Sequence, residues 1–349
     1  MSMFQVEMFC DCLRPRSREQ HASLAQATAP SSQRVIKGLP ASDELEVTCI
    51  APANDNIACG DANGALIAYD YTSAEIKKRW EGHSKSITKV CKRDSSAGDG
   101  QLLTSSRDLS VKLWSVAGGD SCLQDFTGHH DLVVSAAAFQ PGNGQLMCSG
   151  SRDNSIALWD LETGEVMRSS KIARNLVTDI CWKGELLAQT SEDKTLRLWD
   201  FLSLEVAQTF ALMQQILTSC DINGHQVATT SGGFNGTGCE VTLWDSRQGP
   251  APLHVFKGHT EKVHKCCYVS SYDGGTSYLA SISADQTIRL WNCTTLTQES
   301  VYNIACPVTS LTLLDQDSQC FRFGVASPDS GVQIVELDKA TCRHWDIYF

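Results

Sequence analysis

Residues 151–160 read SRDNSIALWD. Asp153 and Asn154 are turn formers, because a short polar side chain can bond its own backbone nearby. Ile156 to Trp159 is a compact apolar run of the length and composition of a buried strand. The pattern of a strand ending in an aromatic residue and then a polar one recurs along the chain. It reads ALIAYD at 65–70, VKLWS at 111–115, LRLWD at 196–200, VTLWD at 241–245 and IRLWN at 288–292, and closes with a degenerate VQIVE at 332–336. The marker positions are Tyr69, Trp114, Trp159, Trp199, Trp244, Trp291 and Val335, spaced by 45, 45, 40, 45, 47 and 44 residues.

A period of about 40–45 residues ending on Trp-Asp is the signature of four-stranded propeller blades. Seven copies predict an all-β, seven-bladed β-propeller. The length of 349 residues would otherwise suggest two domains, but a repeat protein buries each unit against its neighbours. Two further positions keep the register. An Asp stands six residues before the marker in five copies (Asp108, Asp153, Asp193, Asp285, Asp329), with Asn63 in the first. Gly-His precedes three copies: Gly82-His83, Gly128-His129 and Gly258-His259.

These motifs resemble the WD-repeat family. The resemblance implies, in each well-formed blade, a hydrogen-bonded tetrad of histidine, strand Ser or Thr, turn Asp and Trp. Three copies match it: His83, Thr104, Asp108 and Trp114; His129, Ser149, Asp153 and Trp159; His259, Ser281, Asp285 and Trp291. The others depart. The fourth has Gln189 at the Ser position and no Gly-His. The first has Cys59, Asn63 and Tyr69. The fifth has an enlarged turn, and the seventh lacks the Trp. Those blades are expected to be less rigid. His, Ser and Asp also suggest a nucleophilic triad, but a catalytic constellation is singular and open to substrate. Here the set repeats at one register, always with a Trp, so it reads as structural and the protein as no enzyme.

Composition narrows the function further. With 29 basic and 40 acidic residues the formal charge is -11, and nucleic-acid binding needs the opposite sign. The 16 cysteines are scattered through strands, as free buried thiols in a reducing cytoplasm would be. No apolar run reaches the length of a membrane-spanning helix. No cofactor, metal or small-molecule substrate is expected. Cys10 and Cys12 with His21 make only half a zinc site. His264, Cys266 and Cys267 read as core packing along one strand. The stretch SGGFNGTG at 231–238 lacks the Lys-Ser/Thr of a phosphate loop.

Partners are therefore other proteins, met on the face that carries the Gly-His loops and the Asp turns. The glycine-rich stretch replaces the fifth Asp turn and offers Phe234 and Asn235 there. The residue before each turn Asp also belongs to this face: Arg107, Arg152, Glu192 and Ala284. With Lys85 and Lys262, each just past a Gly-His histidine, they outline a basic sector suited to an acidic peptide. The propeller is expected to be monomeric within a complex.

Residues 1–33 do not fit the repeat and read as a disordered tail, leaving 34–349 for the propeller. Cys10 and Cys12, beside Arg14, Arg16 and Arg18, form a candidate acylation site, which would be the only source of membrane contact. Position 2 is Ser, which excludes myristoylation. The ring must close on itself, because an open sheet edge invites aggregation. Arg34–Lys37 and residues 342–349 compete to supply the last strand, and register favours the former. Within the family, SRDNSIALWD, NLVTDICW, QTSEDKTLRLWD and SGGFNGTGCEVTLWD resemble a member whose likeness implies a cytoplasmic, cilium-associated adaptor working with small-GTPase regulators. A peptide or modified-lysine reader and a substrate receptor of a ubiquitin ligase stay open beside that reading.

Overall fold

The computed structural model describes residues 34–38 and 46–338, apart from short gaps at 54–55, 74, 94–99, 120–121, 129–130, 143, 173, 271–276, 305, 317–319 and 330. The described chain is all-β: seven antiparallel sheets of four strands each, arranged as the blades of a propeller. Blade 1 runs outward through Val47–Ala53, Asn56–Asp61, Ala65–Asp70 and Glu75–Glu81. The inner strands of blades 2 to 7 are Ile87–Arg93, Val134–Phe139, Val177–Lys183, Leu217–Asn223, Val263–Ser270 and Ser310–Gln316. Each repeat read from the sequence ends on the third strand of its blade, and its Gly-His follows the outer strand of the blade before. Neighbouring blades are thus joined through one repeat.

Burial follows from this stacking. The second and third strands are covered by blades on both sides, so Leu146–Ser151 and Ser155–Asp160 are almost wholly buried. The outer strand Val166–Lys171 is largely exposed. Among the described residues the core forms seven clusters, each shared by adjacent blades; Leu103, Leu113 and Phe126 of blade 2 pack on Ala137, Met147 and Trp159 of blade 3. An aromatic residue near the end of an outer strand meets the Trp of the next blade in four cases. Ring centroids lie 6.5 Å apart for Trp80–Trp114, 5.7 Å for Phe126–Trp159, 5.2 Å for Phe210–Trp244 and 5.0 Å for Phe256–Trp291. Such pairs add roughly 0.5–1.5 kcal/mol beyond the area they bury.

Hydroxyls stitch the inner strands together. Six of the seven blades start with a buried aliphatic residue followed by a small polar one, as in Val47-Thr48, Ile87-Thr88 and Leu217-Thr218, and blade 6 has Val263-His264 there. The Thr48 hydroxyl donates to the Ile87 carbonyl of the next blade at 2.6 Å, Thr88 to Val134 at 2.7 Å and Thr218 to Val263 at 2.6 Å. Thr309 of blade 7 reaches Val47 of blade 1 at 3.3 Å and so spans the junction of first and last blades.

Closure itself is made by the N-terminal segment. Arg34–Gly38 lies antiparallel on Gly331–Asp338 as the outer strand of blade 7, with Val35 opposite Val335. Two ends of the chain therefore share one sheet, which covers the edge that the last blade would expose. Residues 1–33 and 342–349 lie outside the described residues, and with them Cys10, Cys12 and His21.

Candidate functional site

The turns bearing the Asp positions sit beside the starts of the inner strands, which places them on one face with the loops that lead into those strands. The Arg107 N–H donates to the Ser86 carbonyl at 3.0 Å, Arg152 to Val133 at 3.1 Å, Glu192 to Leu176 at 2.9 Å and Ala284 to Lys262 at 2.9 Å. Polar networks beneath hold this face in place.

In blade 2, His83 Nδ1 lies 2.9 Å from Asp108 Oδ2, and His83 Nε2 lies 2.7 Å from Thr104 Oγ1. Trp114 Nε1–H donates to the same hydroxyl at 2.8 Å. Blade 6 repeats the set: His259–Asp285 at 2.9 Å, His259–Ser281 at 2.8 Å and Trp291–Ser281 at 2.8 Å. An ionised carboxylate only accepts, so Nδ1 carries the proton and Nε2 accepts from the hydroxyl. Burial lowers both histidine pKa values below 6.5, outweighing the raising effect of the Asp, so the rings are neutral at pH 7. Burial would raise Asp108, but the Ser110 hydroxyl, His83 and the Ser84 N–H together hold it below the ordinary carboxylate range. Every polar atom of these sets has its partner inside the protein, and each histidine is buried. That arrangement specifies a geometry and leaves no nucleophile free for a substrate.

Blade 3 retains Trp159 Nε1–H donating to Ser149 at 2.7 Å, while His129 lies outside the described residues. Asp153 Oδ2 accepts from the backbone of Asp131 at 2.8 Å, as Asp108 and Asp285 do from Ser84 and Thr260. Blade 4, one of the blades expected to be less rigid, builds a network from other residues. The absence of its histidine and serine does not leave it without a network. Trp199 Nε1–H donates to Gln189 Oε1 at 3.0 Å, and Gln189 Nε2 donates to Asn175 Oδ1 at 2.7 Å. Arg197 then donates to Asn175 Oδ1 at 2.8 Å and to Asp193 Oδ2 at 2.5 Å. Asn175 and Arg197 together span the distance that a histidine spans elsewhere. In blade 5, Trp244 finds Thr229 at 2.9 Å.

On the face itself, Lys85, Arg107 and Lys262 are exposed. The basic sector is smaller than the sequence suggests, because Arg152 forms an ion pair with Glu192 of the next blade at 2.6 Å. Two expected contact residues thus neutralise one another. The glycine-rich stretch is a tied β-hairpin. Phe234 and Thr237 exchange backbone hydrogen bonds at 3.1 Å in both directions. Asn235 and Gly236 between them have φ of 52° and 72°, as a two-residue hairpin turn of the Asn-Gly type requires. The Gly236 N–H donates to Thr260 in blade 6 at 2.7 Å, and Ser231 Oγ donates to the Gly238 carbonyl at 2.6 Å. Phe234 is 67 % exposed on this hairpin, and Leu212, in the loop that enters the same blade, is 70 % exposed.

The loop end of the central channel is a cavity of about 110 Å³ lined by residues of the inner strands. Lys89 of blade 2 crosses it to Asp179 of blade 4 at 2.6 Å. His264 lines this cavity with Lys265, so the core-packing expectation holds for Cys266 but not for His264. A register shift between Val263 and Lys265 turns both side chains to the same side. Among the described residues lining the cavity none is aromatic, so no cage for a methylated lysine is formed there. No group of three or more His, Cys, Asp or Glu among the described residues is placed to hold a metal ion. Burial pushes the Cys49 thiol up to about 11 and Cys267 up to about 12, which makes both poor nucleophiles at neutral pH.

Comparison with known proteins agrees with this architecture. Residues 74–115, 120–160 and 250–292 match the family model for the WD domain, G-beta repeat. These segments end at or beside Trp114, Trp159 and Trp291. The nuclear distribution protein PAC1 of Arthroderma otae is 27% identical over 281 residues, covering 72% of this chain and 59% of its own length. The nuclear distribution protein nudF of Aspergillus flavus is 34% identical over 125 residues, 34% of this chain and 26% of its own. PAC1 of Gibberella zeae is 28% identical over 148 residues, 40% of this chain and 32% of its own. The chain thus spans between a quarter and three fifths of the length of these relatives. Its fold is a seven-bladed WD-repeat propeller.

Proposed function

We propose that this chain is a non-enzymatic adaptor that receives a protein partner on its loop face, centred on the blade 5 hairpin. The observation that carries the reading is Phe234: a large aromatic side chain two-thirds exposed on a backbone tied at both Gly236 and Gly238. An ordered, exposed aromatic residue can bury its area on binding without a further ordering cost, which is the physics of an interface anchor. Leu212, in the loop that enters the same blade, is exposed as well; Lys262 stands on the neighbouring blade 6, and Lys85 and Arg107 offer further cations to acidic groups farther round the same face.

Two resemblances support an adaptor. The fungal relatives are named nuclear distribution proteins, and several stretches, among them SGGFNGTGCEVTLWD, resemble WD repeat-containing protein 31. The second directs the proposal to the cytoplasm and the cilium, alongside small-GTPase regulators. Proximity labelling in ciliated cells with wild type and Phe234→Ala tests both levels. A partner set that shrinks on substitution supports the face. A set without ciliary or GTPase-regulatory proteins removes the cilium and keeps the adaptor. An unchanged set in the variant removes the hairpin as the docking centre.

A further inference from the structure

Lys265 and His264 of blade 6 and Ser310 of blade 7 line one cavity at the loop end of the channel. None of the three forms a hydrogen bond or an ion pair among the described residues, although the Lys265 charge helps to keep Asp179 ionised. Lys265 forms no ion pair there, although Lys89 in the same cavity does. Among the described residues lining the cavity Asp179 is the only carboxylate, and it is saturated. Its Oδ1 accepts from Lys89 Nζ at 2.6 Å and the Ile180 N–H at 2.9 Å, and its Oδ2 from Ser219 Oγ at 2.8 Å and the Cys220 N–H at 3.2 Å. Ser310 Oγ is buried with no hydrogen-bond partner. His264 has no hydrogen-bonded partner, and burial together with the nearby Lys262 charge holds it neutral. At most blade junctions the hydroxyl at the head of the inner strand is used as a stitch to the next blade; in blade 6 His264 stands at that position and makes none.

Lys265 and His264 are partly exposed donors that open onto one small polar space, and the buried Ser310 hydroxyl beside them carries the cost of a polar group without a partner. Lys89, Lys265 and Asp179 leave the lining with one surplus positive charge while His264 is neutral. About 110 Å³ holds roughly three to four waters, or one carboxylate with its first carbon. We propose that this cavity is a carboxylate-binding site, with Lys265 as the charge partner and the His264 ring N–H and Ser310 O–H as donors, filled by an acidic side chain that a partner inserts into the channel. The site lies on the proposed docking face but uses none of the residues argued for docking there, so it stands whether or not Phe234 contacts a partner.

The test is thermal melting of the full chain at pH 7 and constant ionic strength. The probes are sodium acetate against sodium chloride, and the blocked tripeptides acetyl-Gly-Glu-Gly-amide against acetyl-Gly-Gln-Gly-amide. The Glu peptide is expected to raise Tm saturably and the Gln peptide not. Lys265→Met should weaken the apparent affinity at least tenfold, Ser310→Ala severalfold, and Lys77→Met on an outer strand not at all. A response to acetate equal to that of the Glu peptide assigns the site to small free carboxylates; a response to the Glu peptide alone assigns it to an inserted side chain. Equal responses to the Glu and Gln peptides, or a wild-type response in both Lys265→Met and Ser310→Ala, overturn the proposal.

Discussion

The backbone N–H of Gly236 in blade 5 donates to the carbonyl of Thr260 in blade 6 at 2.7 Å. Thr260 directly follows His259 and its own N–H donates to Asp285, so the most irregular loop of the ring is anchored on a complete tetrad. An insertion that would otherwise be free to move is thereby held in one conformation, with Phe234 at its tip.

Gly236 has a φ of 72°, a region that costs an L-residue with a Cβ about 1–2 kcal/mol. Gly236→Val should loosen the hairpin without unfolding the ring. Hydrogen exchange is expected to accelerate across 233–238 while the blade 2 strands keep their protection. Unaltered exchange at 233–238 would show that the loop's order does not depend on this turn.

The tetrads and the blade 4 network make a paired prediction. Asp285→Ala leaves a buried histidine without its acceptor, and Gln189→Ala leaves Trp199 without one. Each should cost about 1–3 kcal/mol, read by chemical denaturation. If Gln189→Ala proves neutral while Asp285→Ala does not, the Asn175–Arg197 network is not the equivalent of a histidine.

Acid should destabilise the ring in two stages. His264 titrates near 4 when folded against 6.5 when exposed, because burial and then Lys262 disfavour its charge. The unfolded chain therefore binds the extra proton between those values. Stability is complete above 6.5 and falls as the pH drops toward 4, by up to about 3 kcal/mol. His83 and His259 act in the same direction. Asp108 and Asp285, held below the ordinary carboxylate range, contribute stability above it and lose that contribution at still lower pH. Denaturation curves from pH 7 to 4 should slope less for His264→Gln; identical slopes would contradict the assignment.

The Arg152–Glu192 pair separates the two arginines of the loop face. Arg152 is about half exposed, and the pair should be worth no more than about 0.5 kcal/mol to stability. Arg107→Glu should weaken a captured partner more than Arg152→Glu, because only Arg107 lacks an internal counter-ion among the described residues. Equal losses in a pull-down would put both arginines in the interface.

Removing the chain through Gly38 uncovers the edge of Gly331–Asp338. Light scattering of that truncated protein should rise with concentration, and its Tm should fall relative to the full chain. A monodisperse product of unchanged Tm would mean that another segment supplies the closing strand.

The fold was legible because its signal is periodic. Seven markers 40–47 residues apart, with Asp six positions before most of them, state the blade count and the register without any contact being known. The tetrads of blades 2 and 6 were equally legible, since the residue types that satisfy one another recur at fixed offsets. The blade 4 network was not, because Asn175, Gln189 and Arg197 take over those roles with different chemistry, and nothing in their spacing marks them as partners. The aromatic residues ahead of Gly-His, Trp80, Phe126 and Phe256, were a visible signal for the ladder between blades.

What the sequence determined by itself was the repeat: how many blades, which residues end their strands and which hydrogen-bond among themselves. Local pattern carries that information because each unit folds against a copy of itself. The tertiary structure alone decided what the ring brings together from its far sides. It joined Arg152 to Glu192, Gly236 to Thr260, and Lys89 to Asp179 across the channel, and left Lys265, His264 and Ser310 facing one cavity. Those relationships depend on where seven blades converge, which no single repeat encodes, although the bulge that turns His264 and Lys265 to one side recurs at the head of the inner strand in blades 1 to 6.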